Sequence, residues 1–327
     1  MGKTPKKPRP KAGALTHTKE KILHAVGDLG IVSAKQITRL LFQTGSLPYA
    51  RNLMSELAGG EDYYAAGYLC RFGIPHAPGN FERLYTLGRA GREYLRARGV
   101  DVALWGRPQM ASPYSLSFVL HHHAVSQILV ALCAFARSYS YQVIETRTGF
   151  ALAKNPPRLT RVSEGLEKSV VVIPDAWVYI ERSDQSEIQG FALWIEIDCG
   201  TEAKAKFQRL VGERIDLIRY KGYESYFATP AVVFVYLAVG SSAYYRLTRL
   251  QRMREWTAQV LTDKRLDGWG SIFRFSTLLD EECLFDRFVP FLDPVWYLPD
   301  SDTPVSLFTP LQEKEKPDGN RQTTDLS

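Results

Sequence analysis

The sequence predicts a mixed α/β protein, with an N-terminal winged helix-turn-helix domain followed by a mixed sheet flanked by helices. Three observations predict it. Residues 17–58 hold three short stretches with apolar residues at helical spacing. Two alternating stretches then flank a tip rich in Gly and Pro at 73–80. From residue 116 onward, apolar strand-like runs alternate with amphipathic helices.

The elements follow in order. Residues 1–16 carry Lys3, Lys6, Lys7, Arg9 and Lys11 among three prolines and have little to bury, so a disordered basic tail is expected. A helix at about 18–29 has Ile22, Leu23, Val26 and Leu29 on one face and stops at Gly30. Ser33 stands at an N-cap position and opens a helix running through Phe42, with Ile37, Leu40 and Leu41 inward. The turn QTGSLP leads to a third helix, about 49–58. GYLCRF, the tip GIPHAPGN and FERLYTL form a hairpin of the kind called a wing. After Gly88, RAGREYLRARG suits a helix with Tyr94 and Leu95 inward and Arg89, Arg92, Arg96 and Arg98 outward.

The second part begins with a buried helix at about 116–137. Strands are expected at 141–147, 170–181, 191–198, 231–239 and 271–276, with charged amphipathic helices at about 202–220 and 244–261. Residues 148–168 read as an irregular excursion and 308–327 as a disordered acidic tail. The expected divisions are therefore 1–16, 17–110, 111–307 and 308–327.

Composition narrows the function classes. The 327 residues are 45% hydrophobic and 23% charged, which excludes collagen-like and wholly disordered chains. The net charge of +6 is uneven: residues 1–110 hold 17 basic against 8 acidic side chains, a net +9, and residues 281–327 hold 4 against 10, a net −6. A basic N-terminal third points to a polyanion partner. Four scattered cysteines, with no Cys-x-x-Cys pair, speak against a zinc ribbon or a disulfide framework. No signal peptide and no run of 18 apolar residues is seen, so a cytoplasmic protein without a membrane partner is expected.

In a winged helix the third helix enters the major groove, so Tyr49, Arg51, Asn52 and Ser55 are the candidate base readers. Arg71 and Arg83, at the base of the hairpin, suit phosphate or minor-groove contact. Protein contact or dimerisation is the alternative use of the same surface, and the oligomeric state stays open. Further along, Asp175 follows Pro174, and Glu196 and Asp198 share one face of a strand. If their strands pair, three carboxylates meet at one edge. An all-oxygen site of that kind suits Mg²⁺ or Mn²⁺, which could activate water on a phosphodiester. Lys204 or Lys206 in the next helix would supply positive charge. The local alternative is that Asp198 begins a turn and Asp175 makes a nearby hydrogen bond. His121, His122 and His123 point about 100° apart on a helix and cannot all bind one ion; His122 is expected in a supporting role. No phosphate loop or GxGxxG motif is present.

The run LHHHAVSQIL, then IPDAWVYIE, then FALWIEIDCGTEAKAKFQRLVGERIDLIRY resembles the replication-relaxation family over about residues 17–280. Members occur on plasmids and integrative elements, often beside mobilisation and replication genes. The resemblance implies a winged helix joined to a restriction-endonuclease-like domain. That superfamily uses the pattern PD…(D/E)xK. Pro174-Asp175 and Glu196 match it, but Asp198 stands where lysine is usual. Some nucleases of this fold work with a carboxylate there. The resemblance thus implies a double-stranded DNA-binding protein of a mobile element, acting in plasmid replication, relaxation or transfer control. Its alternatives are a Mg²⁺-dependent DNA endonuclease, with catalytic Asp175, Glu196, Asp198, Lys204 and Lys206, and an adaptor that docks onto a relaxase or another replication protein.

Overall fold

A computed structural model describes residues 15–43, 45–58, 67–75, 81–102, 116–163, 166–182, 190–240, 242–266, 268–280 and 282–308. The first unit runs α1 (His17–Leu29), β1 (Val32–Ser33), α2 (Ala34–Leu41), α3 (Leu47–Leu57), β2 (Leu69–Pro75), β3 (Phe81–Leu87) and α4 (Arg89–Arg96). Thr16 caps α1 through its side chain, and Gly30 ends it at φ +88°, a backbone angle glycine adopts without strain. Ser33 and Gln36 form a reciprocal capping box on α2, which fixes where that helix starts. The three strands form an antiparallel sheet in the order β1-β3-β2. Gly73, Ile74 and Pro75 pair within β2 rather than in the expected tip, so the hairpin is longer than its Gly and Pro content suggested; the remainder of that tip lies outside the described residues. The arginines of the α4 segment are also more engaged than expected. Arg89 pairs with Glu93, Arg92 donates to the Leu87 carbonyl and Arg98 pairs with Glu20.

The second unit runs α5 (Leu116–Ser138), β4 (Tyr141–Thr148), α6 (Gly149–Leu152), β5 (Arg158–Ser163), β6 (Leu166–Val171), β7 (Ala176–Arg182), β8 (Gly190–Asp198), α7 (Lys204–Arg219), α8 (Gly222–Phe227), β9 (Val232–Ala238), α9 (Ala243–Asp263) and β10 (Phe273–Thr277). A π-helical turn (Glu282–Asp286), α10 (Val289–Leu292), β11 (Trp296–Leu298) and β12 (Ser301–Val305) complete it. The seven-stranded sheet has the order β12-β11-β10-β9-β8-β7-β4, with β8, β9 and β10 parallel and the other pairs antiparallel. Two expectations fail here. The strand expected over 170–181 is broken, because Pro174 has no N–H to give a ladder, and its first two residues, Val170 and Val171, pair with β5 instead. The excursion expected to be irregular is α6 and the β5–β6 hairpin. The last two strands, the π-helical turn, α8 and α10 also had no counterpart in the sequence reading.

Strand alternation divides the apolar side chains between two cores. Ala176, Val178, Leu193, Ile195, Ile197, Val235 and Leu237 face α5, while Trp177, Trp194, Phe234 and Tyr236 face α7 and α9. The first core continues without a break into Ile22, Val26, Leu53 and Met54 of the N-terminal unit. Polar bonds reinforce that seam: Ser126 donates to the Leu29 carbonyl at 3.0 Å, and Gln36 donates to the His123 carbonyl at 3.2 Å. By length and hydropathy α5 could cross a bilayer, but Val125, Ile128, Leu129 and Leu132 are core residues here.

Candidate functional site

Two surfaces collect the residues singled out by the sequence. The first is α3. Ala50, Leu53, Met54 and Leu57 bury one face, which turns Tyr49, Arg51, Asn52 and Ser55 to solvent. Tyr49 is 51% exposed and packs edge-on against Phe42 with ring centroids 5.6 Å apart. Arg71 on β2 lies opposite Tyr85 on β3, and Arg83 is two residues before it. Burial raises the Tyr85 phenol, while Arg71, Arg83 and Arg51 act to lower it. The register of the hairpin sets Arg71 directly opposite this buried tyrosine, with Arg83 exposed two residues along the same strand.

The second surface is a polar cleft of about 120 Å³ at the end of β8, lined by Asp175, Glu196 and Asp198 together with His121, Cys199 and Arg214. Ala176 pairs with Ile195, so Asp175 enters beside the end of β8, just before β7 rather than within a strand. Glu196 and Asp198 follow Trp194 in the alternation and face α7 and α9. The structure thus brings the three expected carboxylates to one cleft. Each also meets a basic side chain. Asp175 bonds His121 through Oδ1 at 3.0 Å and accepts the Ile197 N–H on Oδ2 at 2.7 Å. Glu196 Oε1 accepts from Trp194 Nε1 and pairs with Arg214, both at 2.6 Å. Asp198 takes a two-pronged bond from Arg249 at 2.9 and 2.7 Å and accepts the Gly200 N–H at 2.5 Å.

The electrostatics follow from this crowding. Burial raises the Glu196 carboxyl, Arg214 opposes that shift and Asp175 adds to it; the net direction is upward. Burial alone would lower His121, but hydrogen bonds and charge from Asp175 and Cys199 outweigh it and raise the imidazole to about 10. His122 goes the other way. Burial and the neighbouring His121 lower it to about 3, and its ring packs against Phe118 and Phe150. It is an uncharged packing residue, in keeping with the supporting role expected for it.

Lys204 and Lys206 are not brought to the cleft. Both are exposed in the first turn of α7, and Lys206 pairs with Glu202 at 2.7 Å. The bases that reach the carboxylates are His121, Arg214 and Arg249, which sequence reasoning missed. The three carboxylates meet in one cleft and each already bonds a base. Asp198 is committed to Arg249 and Gly200, and Asp175 and Glu196 are each held by a base. Among the described residues no group of three His, Cys, Asp or Glu has the geometry of a metal site.

Comparison with known proteins gives one family. A family model described as replication-relaxation matches residues 23–230, more than half of the 327-residue chain. No curated protein matches. A solved structure, of restriction endonuclease FokI bound to DNA, is similar at 14% identity with a TM-score of 0.22. The match covers 76% of this chain and 43% of that one, so this chain spans less than half of that protein's length.

Proposed function

The chain belongs to the replication-relaxation family, and from that premise we propose that it binds double-stranded DNA on a mobile element, in plasmid replication, relaxation or transfer control. In this reading the N-terminal unit is a winged helix. The α3 face enters the major groove while Arg71 and Arg83 meet the backbone. The observation that carries it is the α3 face, where Tyr49, Arg51, Asn52 and Ser55 all stand in solvent, with Arg71 and Arg83 on the hairpin that follows. An exposed helix face carrying arginine, with further arginines on a neighbouring hairpin, suits a polyanion of helical form better than a protein partner. Fluorescence anisotropy of labelled duplexes, titrated across a salt series, tests the reading. Affinity that does not fall as salt rises would sink it.

In the same reading the second unit is restriction-endonuclease-like and its carboxylates hold the sheet edge together rather than cut. The support is that all three are neutralised by His121, Arg214 and Arg249. A Mg²⁺-dependent endonuclease is the second reading, favoured by the meeting of Asp175 and Glu196 in one cleft. A supercoiled-plasmid nicking assay separates the two.

A further inference from the structure

Among the described residues, eight large apolar side chains stay exposed, and they are not spread evenly. Three of them, Tyr244, Tyr245 and Leu247, fall within the first five residues of α9. Single exposed apolar side chains are ordinary, but three in about one helical turn are not. The fold accounts for Tyr245. Its hydroxyl donates to the Cys199 carbonyl at 3.4 Å, and its ring lies over Gly200 and Gly240, where a Cβ would collide with it. Tyr245 thus pins together the loops that follow β8 and β9. Tyr244 is rotated about 100° away on the helix and is 81% exposed.

The charge around that ring is one-sided. Residues 243–254 hold Arg246, Arg249, Arg252 and Arg254 and no acid. Arg249 is neutralised by Asp198 and Arg254 by Asp302. Arg246 bonds a carbonyl, that of Gly240, and Arg252 stands in solvent without an ion pair among the described residues. Tyr244, Thr248 and Arg252 recur every four residues and share a face, about 12 Å from end to end. The helix α7 begins at the same end of the sheet, where Arg249 bonds the Glu202 carbonyl at 3.0 Å, and it brings the exposed Lys204.

We infer that this face of α9 is a platform for single-stranded DNA. A base stacks on Tyr244, the backbone runs along the helix to Arg252, and Lys204 adds charge beside it. An aromatic ring free in solvent takes the face of a base, which a duplex keeps closed within its own stack. Uncompensated cations with no acid between them take the phosphates. Neither the α3 face nor the carboxylate cleft uses Tyr244, Leu247 or Arg252. That the strand is DNA rests on the DNA-binding reading above; the stacking face itself does not depend on it.

Fluorescence anisotropy of the full chain tests the platform, with a labelled thymidylate strand, a uridylate strand and a duplex as probes. The expected result is saturable binding of the thymidylate strand, weakened at least about ten-fold by Tyr244→Ala and by Arg252→Glu and kept by Tyr244→Trp. Duplex affinity should be unchanged in all three, and melting curves establish that they fold. The introduced tryptophan should also lose fluorescence as the strand binds, which marks stacking. A strand that does not bind, or binds wild type and Tyr244→Ala equally, overturns the platform. Equal losses on strand and duplex from Tyr244→Ala overturn the stacking. A uridylate strand bound at least about ten-fold tighter overturns the assignment to DNA. Self-association that Tyr244→Ala abolishes, with no strand bound, gives the face to a second copy instead. Strand binding without any duplex binding sinks the duplex reading of α3 and leaves the platform standing.

Discussion

Arg249 holds both carboxylate oxygens of Asp198, at 2.9 and 2.7 Å, with each side chain 6% exposed. The base comes from α9, and the pair ties the end of β8 to that helix.

Breaking this pair should be costly. Arg249→Ala leaves a buried carboxylate without its partner, for an expected loss of about 3–5 kcal/mol. Replacing both groups, as in Asp198→Leu with Arg249→Met, removes the uncompensated charge and should recover most of the loss. Urea unfolding of the single and double variants checks it. A single-variant loss under about 1 kcal/mol would mean the pair is not structural.

The His121–Asp175 contact gives a pH signature. The imidazole is raised above its ordinary 6.5 to about 10, so its protonated form favours the folded state. That stabilisation is fully present below about 6.5 and is lost as pH rises through about 10. The stability gap between wild type and His121→Gln should therefore be largest near pH 6 and shrink at about pH 8 and again at about 10.5. A gap that widens with pH would contradict the contact.

The two groups of proposed DNA contacts should separate in a binding assay. In the DNA-binding reading, Arg83→Glu removes a backbone contact and should weaken all duplexes alike, with a flatter salt dependence. Asn52→Ala, on the exposed α3 face, should cost about 1–3 kcal/mol on a preferred sequence and little on others. Competition titrations with specific and random duplexes measure both. Equal losses on all sequences from both variants would remove Asn52 from the readers.

Much of this arrangement was legible in the sequence, and the failures have physical causes. Ser33 marked the start of α2, and the alternation of β8 placed Glu196 and Asp198 on one face before any geometry was known. Pro174 was misread, because the apolar residues on both sides of it look like one strand although its missing N–H breaks the ladder. Lys204 and Lys206 were plausible partners by proximity along the chain, yet the first turn of α7 leaves both in solvent. Arg214 and Arg249 lie well beyond the strand and resemble ordinary charges on amphipathic helices. Only the packing of α7 and α9 on the sheet turns them inward. His121 gave no sign of its role among three adjacent histidines, since the rotation of α5 decides which ring meets Asp175.

In the endonuclease reading, a divalent cation would have to compete with the bases already in the cleft. Asp175 and Glu196 share it, and their mutual repulsion would favour a bound cation, but His121 and Arg214 already supply positive charge there. Mn²⁺ should therefore bind wild type weakly, and less as pH falls and the carboxylates protonate. His121→Ala removes a competing charge from Asp175 and should tighten Mn²⁺ binding several-fold. Asp175→Ala with Glu196→Ala should abolish it while leaving duplex affinity intact, because α3 and the hairpin are untouched. Calorimetry on the three proteins, run beside a nicking assay, tests the argument. Equal Mn²⁺ binding by wild type and the double variant would remove the cleft as the metal site. Nicking that needs Mn²⁺, rises in His121→Ala and vanishes in the double variant would turn the reading from a neutralised scaffold to an endonuclease restrained by its own histidine.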